Sequence, residues 1–335
     1  MNQEERFCEA VSYVSPLVRE VLLRLPLSVQ KTATEIRLRA QKPVVVVTHN
    51  GCFMVEPNGQ PTKRWSGEQL VCSYPCLEQT FRAVCGYSVH THQRDMVRGF
   101  IPLKGGHRVG LGATAVEKEN GVTTLKEISS LNIRIARQVF GIATAVLPYT
   151  SFGGLLMVGR PATGKTTLLR DLTRLLSGVN QIGGKVVLLD ERGELAAMWD
   201  GIPQNDVGLN TDVLNGFAKA IAMEMAVRSL SPDWVVCDEI GSQKEAEALL
   251  SCMHAGVGVI ASVHANNMEE LRRKTWVMAL LRAGVFAHIA LLDTTRGKGN
   301  IERIYKTDEW LNEGNGDSDS CVCCNMERIP HCHKV

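Results

Sequence analysis

The run Gly159-Arg160-Pro161-Ala162-Thr163-Gly164-Lys165-Thr166-Thr167 constrains this chain more than any other stretch. It has the form G-x-x-x-x-G-K-[ST]. The short apolar run Leu155–Val158 precedes it, and an amphipathic segment opening Leu168-Leu169 follows. That order predicts a strand, a tight glycine turn and a helix. Gly159 and Gly164 leave the backbone free for close approach. Successive N–H groups, with the N-terminus of the following helix, then form a concave positive cradle suited to phosphates. Lys165 is placed to reach β- and γ-phosphates, and the Thr166 hydroxyl to ligate Mg²⁺, whereas Arg160 occupies a position the motif leaves free. The stretch predicts binding of a nucleoside triphosphate, ATP with Mg²⁺.

With 335 residues, 44% of them hydrophobic, the chain is long enough for two domains with real cores. A net charge of +2 excludes strong bulk attraction to nucleic acid or to an acidic membrane surface. Apolar runs fall short of the ~20 residues that span a bilayer. Met1-Asn2-Gln3-Glu4-Glu5 is polar and acidic where a secretory leader would be charged and then apolar. A soluble, cytoplasmic chain is expected, with any membrane role coming through a partner. Eleven cysteines in a long chain with a nucleotide motif fit a reducing compartment rather than a disulfide scaffold. Cys237 and Cys252 sit in apolar contexts, where a thiol acts as a small hydrophobe.

Residues 1 to about 30 show helical spacing ending near Pro26. Glu35–Arg39 and Pro43–Thr48 read as strands, Asn50-Gly51 as a hairpin turn, 67–86 as helix-like, and Gly105-Gly106 as a second hairpin turn. These signals describe a smaller α+β domain over 1–150, with a boundary near Pro148. From Gly154 the pattern changes to strand–helix alternation, the mark of a parallel sheet covered on both faces. Strands are expected at 154–158, 185–189, 234–238, 257–263 and 286–292. Ser242 to Glu245 has the form of a capping box, and Asn267 to Glu270 follows the same logic. Gly297-Lys298-Gly299 marks a terminal hairpin. The fold class is thus α/β, a RecA-like P-loop domain over 151–310 after the α+β domain, with a flexible tail over 311–335.

Two strand ends carry acids. Trp234–Cys237 runs into Asp238-Glu239, which lies 73 residues after Lys165 (238 − 165). At the C-terminal edge of such a sheet, Asp238 can hold the Mg²⁺ shell and Glu239 can polarise the attacking water. Val186–Leu189 runs into Asp190-Glu191-Arg192, so Glu191 competes with Glu239 as general base, with a solvated, helix-capping turn as the simpler reading. His264 ends the next strand, where an imidazole can contact the γ-phosphate and report its loss.

Several runs carry a family resemblance: Asp206–Leu214, Ala226–Asp233, Asp238-Glu239-Ile240-Gly241 and Ser262-Val263-His264-Ala265-Asn266. Asp190-Glu191-Arg192 joins them, together with Pro43, Gly105–Gly110 and Ser129–Arg137 in the first domain. Over roughly 30–305 the chain resembles the stage III sporulation AA family, which belongs with the type II/type IV secretion and pilus ATPases. The resemblance implies a hexameric ATPase ring in the mother cell of an endospore former. It also implies docking on integral membrane proteins of the channel to the forespore; the near-zero net charge leads to no expected nucleic acid partner. Asp238 stands where secretion ATPases often carry Gly, which implies magnesium handling closer to that of RecA-type enzymes. The tail Cys321-Val322-Cys323-Cys324 to His331-Cys332-His333 is outside the family pattern. An unstructured tail is expected there, with zinc binding through soft ligands as the alternative.

P-loop sites of this kind are often completed by an arginine from a neighbouring subunit. Candidates are Arg108 after the Gly-Gly turn, Arg134 and Arg137 at the i, i+3 spacing of one helical face, and Arg228 at a helix end. Two alternative functions remain. One is a nucleic-acid-stimulated ATPase, whose added domain needs an arginine and a histidine with three residues between them. Arg328-Ile329-Pro330-His331 has the wrong spacing for it, and the near-zero net charge opposes it. The other is a nucleotide-dependent scaffold with slow turnover.

Overall fold

The computed structural model describes residues 3–88, 92, 96, 99–117, 123–150, 153–293, 297 and 299–313. The Cys/His run 321–333 and the Arg328–His331 spacing lie outside the described residues. The chain divides into two compact units, Met1–Gln138 with Trp199–Gln204, and Val139–Met198 with Asn205–Val335. The second unit begins before Pro148 because Ala143 and Val146 are fully buried in its core, beside Leu155 and Leu168.

The first unit opens with three helices, Gln3–Ser12, Pro16–Leu23 and Leu27–Thr32, where the spacing alone reads as one helical region. Prolines make the breaks. Pro16 sits in the first turn of the second helix and Pro26 caps the third, positions that need no N–H from the ring. Phe7, Val11, Val14, Val18 and Leu22 leave no side-chain surface exposed and join one core with Ile36, Leu38, Leu131 and Ile133 of the sheet. Full burial of each such side chain contributes about 1.5–3 kcal/mol. The sheet is antiparallel, in the order Pro61–Thr62, Gly51–Val55, Val45–Thr48, Ala33–Arg39, Thr123–Arg134, Arg108–Glu117, Phe100–Pro102. Thr48 pairs with Gly51, so His49-Asn50 forms the hairpin loop and Gly51, at φ 118°, opens the returning strand. Gly105 (φ 76°) and Gly106 (φ 75°) turn the Phe100–Pro102/Arg108–Glu117 hairpin.

Arg134 and Arg137 do not share a helical face. Arg134 ends the strand Thr123–Arg134, and the backbone after it is non-helical. The controlling period is two. Leu131, Ile133 and Ile135 are buried, while Asn132 and Arg134 point the other way.

The second unit is built on a sheet in the order Thr211–Asn215, Val186–Asp190, Trp234–Cys237, Gly258–His264, Gly154–Gly159, Phe286–Leu292, Ile301–Lys306. The first six strands are parallel, and the last pairs antiparallel with Phe286–Leu292. Every residue of Gly154–Gly159 and Val186–Asp190 is buried, as a strand covered on both faces requires. Ser242 caps the helix Gln243–His254 by accepting from the Glu245 N–H, and Asn267 caps Met268–Arg272 the same way through Glu270. Residues 311–313 are helical. The helix Thr307–Glu313 carries Trp310, 5% exposed, into the core, and Leu311 packs beside it. Among the described residues no helix is long and apolar enough to cross a membrane. Cys237 and Cys252 are buried free thiols, and burial pushes both above their ordinary pKa.

Candidate nucleotide site

The strand order explains how the site is assembled. Gly258–His264 lies between the phosphate-loop strand and the strand that leads to Asp238. Its C-terminal end therefore places Ser262 and His264 between Lys165 on one side and Asp238-Glu239 on the other. Gly159 is paired with His264 in register. Parallel sheets bind their ligands at this edge, where loops leave the strand ends.

The loop turns through two left-handed residues, Ala162 at φ 63° and Gly164 at φ 99°, before the helix Lys165–Ser177 begins. A Cβ on Gly159 would meet the Thr163 hydroxyl at 2.8 Å, so this glycine is required by close approach. Thr163 is buried. Its hydroxyl donates to the Arg160 carbonyl, and its own carbonyl accepts from the Gly299 N–H at 2.6 Å. Arg160, Pro161 and Ala162 form the exposed rim of the loop on the solvent side, and Thr167 lies in the first turn of the helix.

Lys165 is only 4% exposed, and its ammonium group places each of its three protons. It donates to the Gly159 carbonyl at 2.7 Å, to the Arg160 carbonyl at 2.8 Å and to His264 Nδ1 at 2.9 Å. Burial lowers its pKa, and the charges of Asp238 and Glu239 oppose that shift. With Nδ1 accepting from Lys165, the proton of a neutral His264 sits on Nε2, which meets Glu239 Oε1. The other oxygen of Glu239 accepts from Arg192 Nη1 at 2.6 Å. Partial burial raises the Glu239 carboxyl. The hydrogen bond from His264 and the positive charges of Arg192 and Lys165 outweigh it and hold the group below the usual carboxylate range.

Thr166 and Asp238 meet directly, the hydroxyl donating to Asp238 Oδ2 at 2.5 Å. The other oxygen of Asp238 accepts from the Ser262 hydroxyl. Ser262 is fully buried and also accepts from the Glu239 N–H at 2.9 Å, so one serine positions both acids. Sequence reading passed over this residue. Its place two residues before His264, on the same face of one strand, was the available signal. Lys219 was also missed. Buried at the start of Lys219–Met225, it donates to the Glu239 carbonyl at 2.6 Å and lies 3.4 Å from Glu191 and 3.7 Å from Glu245.

The side chains of Asp190 and Glu191 turn to different partners. Asp190 is 2% exposed and turns back into its own loop, where it accepts from the N–H groups of Glu194, Leu195 and Ala196 at 2.8–3.1 Å. Glu191 is exposed and faces Lys219. A small, open cleft lies between this turn and the Asp238 strand, lined by Glu191, Arg192, Lys219, Asp238 and Glu239.

The arginines expected to complete the site are spread out. Arg228 is exposed on the turn Ala226–Leu230 that follows the Lys219 helix. Arg134 and Arg137 belong to the first unit. Arg134 is 3.6 Å from Glu35. Arg137 donates to the carbonyls of Lys31 and Ala33 at 2.8 and 2.9 Å and contacts His49, so its guanidinium ties the third helix to the sheet. Arg108 lies over the Phe100 ring, its guanidinium carbon 5.3 Å from the centroid.

The parallel sheet, the phosphate loop and the acids at the end of the strand Trp234–Cys237 define a RecA-like P-loop fold of the secretion-ATPase type. Solved structures share it. DotB of Yersinia pseudotuberculosis aligns at TM-score 0.54 and 16% identity, over 84% of this chain and 79% of that one. DotB of Legionella pneumophila aligns at 0.51 and 16%, over 85% and 80%. The pilus retraction motor PilT with bound ADP aligns at 0.51 and 15%, over 79% and 76%. At such identities the likeness is one of fold. The family is narrower: the chain belongs to the family described as sporulation stage III, protein AA, whose model matches residues 4–310. It is 36% identical over 279 residues to stage III sporulation protein AA of Bacillus subtilis, covering 82% of this chain and 87% of that protein. A shorter match, 29% over 172 residues, joins half of this chain to 30% of the ycf45 protein of Porphyra purpurea.

Proposed function

We propose that this protein is an ATP-hydrolysing oligomeric motor that energises assembly or transport at the channel between mother cell and forespore. One observation carries the reading: the Thr166 hydroxyl and the Asp238 carboxylate meet at 2.5 Å beside the buried ammonium of Lys165. A hydroxyl and a carboxylate are the hard oxygen donors that Mg²⁺ prefers, so these two residues fit the ion and would hold it. The bound ion would neutralise charge on phosphate oxygens. Lys165 exchanges its two loop carbonyls and His264 for the β- and γ-phosphates. The N–H groups from Gly159 to Thr167 supply the rest of the cradle. Glu239 is the general base and takes the proton of the attacking water, with His264 orienting its carboxylate. Glu191 is the weaker candidate because it faces Lys219 across an exposed surface.

The motor role draws on family membership and on the fold likeness to a pilus retraction motor. A ring of six, with Arg134 or Arg228 reaching a neighbour's phosphate, is part of the proposal, as are peripheral attachment to integral membrane partners and a mother-cell location. Phosphate release measured across a range of protein concentrations tests it. Turnover per subunit rises as the chain assembles, and single-stranded DNA has no effect. Constant turnover from a monomer, or stimulation by DNA, would refute the reading.

A further inference from the structure

Glu239 is held by two sets of contacts that differ in how readily they break. Its backbone is fixed on both sides. The N–H donates to buried Ser262 at 2.9 Å, the carbonyl accepts from Lys219 at 2.6 Å, and φ is 51°, in the left-handed region. Moving that backbone would break two partly buried hydrogen bonds. The side chain is engaged at both oxygens, Oε1 by His264 and Oε2 by Arg192 at 2.6 Å. A carboxylate engaged in this way turns no oxygen with full basicity toward a water. His264 is tied in turn to Lys165 at 2.9 Å, so phosphates that draw Lys165 away loosen the Oε1 side. Nothing in that exchange releases Oε2.

Arg192 stands on the turn that the buried Asp190 carboxylate pins through Glu194, Leu195 and Ala196. Its side chain is 64% exposed. An exposed guanidinium–carboxylate pair shifts an equilibrium by only about two- to fivefold, which suits a contact that forms and breaks in each cycle. Asp238 is engaged differently, by the neutral hydroxyls of Thr166 and Ser262.

We propose that Arg192 is a positioning residue that clamps the Glu239 carboxylate in an unreactive orientation in the nucleotide-free protein and lets go before water is activated. The inference rests on the reading of Glu239 as general base. The test compares wild type, Arg192→Ala, Arg192→Lys and Lys165→Ala as full chains, measuring kcat and KM for ATP. In Arg192→Ala, kcat rises about two- to fivefold with little change in KM, the scale of one exposed ion pair. Arg192→Lys, which keeps the charge, returns kcat toward wild type, which loss of fold would not do. A kcat that falls or stays level in Arg192→Ala overturns the clamp and leaves the ATPase reading standing. Wild-type turnover no greater than that of Lys165→Ala overturns both.

Discussion

Replacing Asp190 with asparagine exchanges one carboxylate oxygen for an NH2 group and removes the means by which one loop is held. Both carboxylate oxygens face backbone donors: Oδ1 accepts from Glu194 and Leu195 at 2.8 and 3.1 Å, Oδ2 from Leu195 and Ala196 at 3.1 and 2.8 Å. An asparagine offers one acceptor and one donor. One side of the cluster therefore becomes N–H facing N–H, with Ala196 fully buried and unable to turn to water. A lost bond to a charged acceptor costs about 1.5–3 kcal/mol, and a stranded buried donor brings the total to roughly 2–4 kcal/mol. For a unit of this size that lowers the melting temperature by about 5–15 °C. Differential scanning calorimetry of Asp190→Asn measures it, with Glu191→Gln as a control that shifts by no more than about 2 °C, as exposed substitutions do. The turn also carries Arg192, so nucleotide turnover changes with stability. An Asp190→Asn protein melting within about 2 °C of wild type would show that this carboxylate does not hold the loop.

Other predictions follow from groups in both units. His107 is fully buried, accepts from the Ala136 N–H at Nδ1, and has its pKa lowered to about 4 by burial and by the charge of Arg6. The unfolded chain, with an ordinary histidine near 6.5, therefore binds the extra proton first. Stability is intact above about pH 6.5 and falls by up to about 3 kcal/mol as pH drops toward 4; urea midpoints between pH 7 and 4.5 record the slope, and His107→Gln flattens it. Glu239→Gln binds ATP but loses turnover by about a hundredfold or more, while Glu191→Gln retains most of it; the reverse pattern in steady-state assays would move the base to Glu191.

Much of this fold is legible in the sequence because buried parallel strands are apolar runs that end in chemistry. Leu155–Val158, Trp234–Cys237 and Val259–Val263 mark themselves in this way, and the residues just beyond them form the site. The edge strand Thr211–Asn215 is not marked, since polar and partly exposed positions break its pattern. Arg134 and Arg137 show the opposite hazard: an i, i+3 spacing suggests a helix, while the buried Leu131, Ile133 and Ile135 between them and before them keep period two. Spacing places a side chain at a strand end but does not say where it turns. Asp190 and Asp238 both end apolar strands, yet one folds back on its loop and the other faces Thr166. The contacts of Lys219 and Arg192 with Glu239 come from elements brought together by the sheet order, which no local pattern encodes.

Steady-state phosphate release from Mg²⁺·ATP by wild type and Lys165→Ala tests the central claim most directly. Lys165 is the one ammonium inside the phosphate loop, already bonded to two of its carbonyls. Wild type turns over ATP, and the Lys165→Ala chain, folded by its melting temperature, falls at least about a hundredfold, the scale of losing a transition-state charge contact. Equal turnover in the two proteins would mean that this loop is not where the chemistry occurs.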